Sequence, residues 1–169
     1  QTIQLLHLKH PNMKFVIPAA NQYRYQEIKS RLAEHASLPI TLVLKQSREA
    51  MAAADIILIA SGTATLEATL LAKPMVVAYK MSSLTFAIYS RMIKTPYVSL
   101  PNILANEMLV PELLQDNATP EKLSAAVEDA LTNKAHRTYQ RQKFNQIHQL
   151  LNLNASKKAA QAITELLAD

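Results

Sequence analysis

A chain of 169 residues, 49% of them apolar, is long enough for one domain with a full hydrophobic core and too apolar to remain disordered. It has no cysteine, which excludes disulfides and thiol catalysis, and its net charge of +5 favours anionic partners: phosphates, nucleic acid or acidic lipid headgroups. The basic residues are spread out, with mild clusters at 134–143 and 157–158 but no Arg/Lys stripe interleaved with aromatics, which disfavours nucleic acid. No segment reads as a signal peptide, and apolar runs such as 56–60 are far too short to span a bilayer.

In chain order, Gln1 opens inside an apolar helical pattern made by Ile3, Leu5, Leu6 and Leu8, with no cap residue before it; this reads as the interior of a longer protein. Four β-branched runs then read as buried parallel strands: 14–18, 40–44, 56–60 and 75–79. Helical patterns lie between them. Asn21 is expected to cap a helix with Tyr25, Ile28 and Leu32 on its inner face and a Glu27–Arg31 pair on its outer one. A short helix over 47–54 precedes the third strand. Another, over 63–72, follows it, with Leu66 and Leu70 facing the sheet and Lys73-Pro74 as its stop. The alternation predicts an α/β fold, a Rossmann-like parallel sheet built from right-handed crossovers with flanking helices.

The segment 83–94 is apolar nearly all round. It reads as a core helix or, alternatively, as one that contacts an acyl chain or a bilayer surface. A strand through 97–100 is expected to break at Pro101. Beyond it the chain reads as loops and helices only: a helix capped by Thr119 with Leu123, Val127 and Leu131, a second over 135–151 with Phe144, Ile147 and Leu151, and a last one from Asn154 with Ala159, Ile163 and Leu166. The organisation expected is a Rossmann-like domain over 1–133 that lacks its first strand, followed by a helical tail over 134–169.

Ligands of open parallel sheets bind beyond the carboxyl ends of the strands. There the third strand runs into Ser61, Gly62, Thr63 and, one helical turn on, Glu67. Gly62 is the chain's only glycine. A glycine turn heading a helix lets backbone amides approach an anion, Ser61 and Thr63 add hydroxyls, and the helix N-terminus adds about half a positive charge. The set reads as a diphosphate cradle, and Glu67 as an acceptor for ribose hydroxyls. It also reads as an ordinary strand-to-helix turn with a capping hydroxyl. Asn102, with donors and an acceptor at a strand's end, reads either as a reader of sugar hydroxyls or as a turn asparagine. The histidines His7, His10, His35, His136 and His148 form no metal-ligand pattern, and neither a Ser/His/Asp arrangement nor a P-loop lysine is present.

The runs ASGTATLE at 60–67, AKPMVV at 72–77, YKM at 79–81, KTPYVSLPN at 94–102 and ELLQ at 112–115, with REAM at 48–51 and Asp55 upstream, closely resemble lipid A disaccharide synthases over nearly the whole chain. The strand–SGT–helix–Glu element is shared with many other two-domain nucleotide-sugar glycosyltransferases. The resemblance implies the C-terminal half of a GT-B fold in an inverting transferase. Its reaction joins UDP-2,3-diacylglucosamine to 2,3-diacylglucosamine 1-phosphate and releases UDP, with no metal or redox cofactor. It assigns Ser61, Gly62 and Thr63 to the donor's diphosphate, Glu67 to the ribose, and Asn102 with Glu112 to the donor sugar or diphosphate region.

The resemblance further implies that the catalytic carboxylate and the acceptor site lie in an N-terminal domain, and that a Gly-Ser-Arg turn lies just upstream of Gln1. It implies a peripheral enzyme on the cytoplasmic face of the inner membrane, and a homodimer that exchanges its C-terminal helices. Glu107 departs from the pattern, which has a basic or small residue there. By itself, then, the chain is expected to have no transferase activity. Two other readings stay open: a UDP-N-acetylglucosamine-dependent transferase or epimerase of the same fold, and a non-catalytic α/β interaction module.

Overall fold

The computed structural model describes residues 1–60, 62–82 and 96–168. The expected helix at 83–94 lies outside them. In chain order the elements are α1 (Thr2–Lys9), β1 (Phe15–Ala19), α2 (Gln22–Leu32), β2 (Ile40–Leu44), α3 (Ser47–Ala53), β3 (Ile57–Ala60), α4 (Thr63–Leu70), β4 (Met75–Tyr79), α5 (Leu100–Ala105), β5 (Glu112–Leu114), α6 (Pro120–Thr132), α7 (Lys134–Leu151) and α8 (Ala155–Ala168). Every strand pairing is parallel, as the α/β alternation requires.

The strands form two open sheets. β1 pairs with β2, Phe15 opposite Ile40, and β3, β4 and β5 follow one another in that order. No pairing joins β1 to β3 among the described residues, so each keeps one free edge, and Val16 and Leu58 on these strands stay 48% and 43% exposed. A common helical layer nevertheless covers both sheets. Leu6 of α1 and Val127 and Ala130 of α6 pack with Phe15 of β1, with Val76 of β4 and with Leu113 of β5. The opposite face of the second sheet is covered by α4, α5 and α7. There Met75, Val77, Ala68, Leu109, Val110, Phe144 and Ile147 form the main core. Met75, Val76 and Val77 are fully buried because the central strand has cover on both sides.

Local signals act as expected in several places. The Asn21 side chain accepts from the Arg24 amide at 2.9 Å, and Arg31 pairs with Glu27 at 3.2 Å. Thr119 caps α6, with Pro120 in its first turn. α4 ends at Leu70, and Ala72 then adopts a left-handed conformation (φ 51°) just before Lys73-Pro74.

Three expectations are corrected. The buried face of α4 carries Thr65, Ala68 and Thr69, while Leu66 is half-buried and Leu70 is 40% exposed. Both threonine hydroxyls donate to carbonyls of the preceding turn, Thr65 to Gly62 at 2.6 Å and Thr69 to Thr65 at 2.8 Å, so the methyls enter the core with no polar atom unsatisfied. Pro101 breaks no strand. It sits in the first turn of α5, where its missing N–H costs nothing, with Ser99 as N-cap. The region after Pro101 also contains a strand, β5, whose three residues are too few to show alternation.

Candidate functional site

The carboxyl ends of β3, β4 and β5 lie side by side, with the Gly62 turn at the end of β3, whereas Glu112 stands at the start of β5, opposite Val77. β3 ends at Ala60, and Gly62 is the N-cap of α4. Gly62 has φ 138° and ψ −165°, a region open only to glycine. A Cβ at this position would meet nothing within 4 Å, so backbone conformation, not crowding, demands the glycine. The Gly62 carbonyl accepts from both the amide and the hydroxyl of Thr65, at 3.1 and 2.6 Å. It therefore points down the helix, and in a trans peptide the Thr63 N–H points the other way, out of the N-terminus. Thr63 is exposed, and no side chain caps α4 among the described residues. Ser61 lies outside the described residues. Glu67, one turn along α4, is exposed, and its carboxylate makes no hydrogen bond or ion pair among the described residues.

Asn102 and Glu112, assigned together by the resemblance, are in direct contact. Asn102 is fully buried in the first turn of α5, and both ends of its amide are used: Oδ1 accepts from Val110 N–H at 2.8 Å, and Nδ2 donates to Val110 C=O at 2.9 Å and to Glu112 Oε1 at 2.8 Å. Glu112, half-buried at the start of β5, also accepts from the backbone of Val98 (2.9 Å), the backbone of Ser99 (2.8 Å) and the Ser99 hydroxyl (2.6 Å). A carboxylate beside the N-cap of a helix matches the sign of its dipole. The cluster thus fixes the chain entering α5 to the start of β5.

Glu107, the residue that departs from the family pattern, faces α7. It accepts from the Tyr139 hydroxyl at 2.7 Å and pairs with Lys143 at 2.8 Å. Hydrogen bonds from Lys143 and Tyr139 hold its carboxyl below the usual carboxylate range, and Glu107 in turn raises the Lys143 ammonium.

One participant escaped the sequence reading. Gln115, directly after β5, accepts from Met81 N–H at 2.8 Å and donates to Met81 C=O at 3.1 Å. The side-chain amide imitates a neighbouring strand and carries the β4–β5 pairing past its last ladder pair, Tyr79 opposite Leu114. Gln115 stands in the ELLQ run, but nothing in the sequence ties it to a residue 34 positions earlier.

Among the described residues no group of three or more His, Asp or Glu side chains is arranged to hold a metal ion, and no helix is long and apolar enough to cross a membrane. An open groove between α1 and the start of α6, lined by Gln4, Leu5, His7, Leu38 and Pro120, shares no residue with this edge.

A family model described as lipid-A-disaccharide synthetase matches residues 1–166. The chain belongs to this family. Among similar curated proteins, the lipid-A-disaccharide synthase of Cellvibrio japonicus (strain Ueda107) is 55% identical over 157 residues, covering 93% of this chain and 41% of the relative. That of Hahella chejuensis (strain KCTC 2396) is 50% identical, covering 99% of this chain and 42% of its own. That of Pseudomonas aeruginosa (strain LESB58) is 46% identical, covering 98% and 43%. The chain thus spans about two-fifths of the length of the curated relatives it matches. The span shared with the lipid-A-disaccharide synthetase family includes the Gly62 turn, the Asn102–Glu112 cluster and nearly all of α8.

Proposed function

We propose that this chain is the donor-binding part of a lipid A disaccharide synthase, an inverting glycosyltransferase that joins UDP-2,3-diacylglucosamine to 2,3-diacylglucosamine 1-phosphate with release of UDP. The observation that carries the reading is the Gly62 turn. In a chain of this family, a glycine-only conformation heads α4 at the carboxyl end of β3, with an exposed, unpaired carboxylate one turn further on. In this assignment Ser61, Gly62 and Thr63 hold the diphosphate, and outward helix amides stabilise the charge that develops on the UDP leaving group. Glu67 accepts from the ribose hydroxyls. Asn102 and Glu112 serve the donor region by fixing the chain at 98–102, since their polar atoms are already engaged with one another and with the backbone there.

The catalytic carboxylate and the lipid acceptor belong to parts of the enzyme outside this chain, so the 169 residues alone are expected to show no turnover. The unpaired edges of β1 and β3 support a Rossmann-like domain over 1–133 completed by one further parallel strand between them. Exposed Ile163 and Leu167 on α8 support an exchange of the helices after residue 133 between two subunits. Association with the inner face of the inner membrane follows from the acylated substrates.

Titration calorimetry of the full-length protein with UDP tests the reading. Binding that weakens at least several-fold in Glu67→Ala supports it, whereas equal affinity in the variant removes the ribose assignment. An absence of heat at millimolar UDP would leave a non-catalytic module as the better account. Comparison of acylated with plain UDP-sugars separates this substrate from that of a UDP-N-acetylglucosamine enzyme of the same fold.

A further inference from the structure

We propose that the basic flank of α7 and the basic start of α8, with the exposed leucines between them, dock this protein on an anionic lipid surface. This names the surface for the membrane association proposed above and rests on that reading.

Between Asp129 and Glu165 the sequence holds no acidic residue and six lysines and arginines, whereas elsewhere in the chain the two signs nearly cancel. The net charge of +5 is therefore concentrated on α7 and α8. One of the six, Lys143, pairs with Glu107 at 2.8 Å. The side chains of the other five, Lys134, Arg137, Arg141, Lys157 and Lys158, make no hydrogen bond or ion pair among the described residues, and all but the half-buried Arg137 are exposed. On α7 these cations recur three and four residues apart, so they line one flank of the helix beside the buried Gln140, Phe144 and Ile147. Arg137 and Arg141 are a like-charged i,i+4 pair, which weakens a helix unless an anion lies against it.

The leucines choose among anions. Leu150, Leu151 and Leu153, at the α7–α8 junction between the two basic groups, are exposed. A dissolved phosphate or a nucleic acid offers them no apolar surroundings. The interfacial zone of a bilayer does, while its anionic headgroups meet the lysines and arginines. Ile163 and Leu167 are left to the subunit exchange, because Lys157 and Lys158 stand six and five residues before Ile163, on the other side of α8.

The test is co-sedimentation of the full-length protein with vesicles of phosphatidylcholine alone and of phosphatidylcholine mixed with phosphatidylglycerol, at low and moderate salt, with thermal melts as the folding control. The parent is expected to prefer the mixed vesicles and to bind them less at moderate salt. Arg137→Gln combined with Arg141→Gln is expected to weaken that binding by about fivefold for each charge removed and to flatten the salt dependence. Leu151→Ser combined with Leu153→Ser is expected to weaken it by a similar factor at both salt concentrations, since no charge is lost. Binding to the mixed vesicles that is kept in both variants overturns the proposal and leaves the membrane association in place. So does a loss of binding that light scattering traces to a lower mass in solution, because the surface would then meet a second copy. A parent that binds neither kind of vesicle overturns both readings.

Discussion

The side-chain amide of Asn102 in α5 donates to the Glu112 carboxylate of β5 at 2.8 Å, with Asn102 fully buried. This contact joins the two residues assigned to the donor region and ties the chain entering α5 to the sheet. Asn102→Asp places a second carboxyl in the position of that donor. It is expected to lower the melting temperature, because the hydrogen bond to Glu112 is lost and two carboxyls face each other. The expected loss at neutral pH is on the order of 2–4 kcal/mol, the range for a buried hydrogen-bonded group left without its partner. A melting temperature unchanged in Asn102→Asp would count against the contact.

Gly62 separates conformation from crowding. Because nothing lies within 4 Å of a Cβ placed there, Gly62→Ala meets no clash, and the cost is the unfavourable backbone region alone. That cost is about 1–3 kcal/mol. The chain can relieve it by rotating the turn, which would redirect the Thr63 amide. Denaturant unfolding is expected to show the modest stability loss and UDP titration a larger relative loss of affinity; affinity kept in the presence of the stability loss would show that the amide direction does not matter.

α7 is held to the sheet by packing as well as by polar contacts. Phe144 is fully buried in the main core, and Gln140, 1% exposed, donates to the Leu109 carbonyl at 2.7 Å. Phe144→Ala is expected to cost ~3–5 kcal/mol by equilibrium unfolding, as other large-to-small changes in packed cores do. A cost below about 1 kcal/mol, typical of surface changes, would mean that α7 is not part of the cooperative core.

The ion pair of Glu107 with Lys143 predicts a pH dependence with a defined sign. The Glu107 carboxyl is held below its ordinary value, which is about 4.3 in an unfolded chain. Its contribution to stability is therefore present above about that pH and is lost as the pH falls through the lower folded value. Glu107→Gln should melt at a lower temperature than the parent at pH 6, and the difference should shrink towards pH 3. A constant difference across that range would show that the charge on Glu107 does not matter to the attachment of α7.

The class of fold and the glycine turn after the third strand were legible in the residues. Near-continuous apolar runs such as MVVAY mark strands covered on both faces, and they recur with caps such as Asn21 and Thr119, so the parallel α/β pattern is written locally. The only glycine, placed between a strand and a helix, marks Gly62 because no other residue tolerates its backbone angles. What depends on long-range pairing was not legible. The three-residue strand β5 exists because β4 offers an edge. Asn102 is drawn inward by Val110 and Glu112, and Gln115 reaches Met81 across 34 positions. The buried face of α4 carries threonines because each hydroxyl finds a carbonyl one turn back, a partner that hydrophobic patterning does not register. Local propensity and periodicity thus determined the elements and the turn. Only the tertiary structure decided which polar groups are consumed in holding the fold, as those of Asn102 are, and which, like the Glu67 carboxylate, remain exposed, because a buried polar atom needs a partner that the fold alone brings within reach.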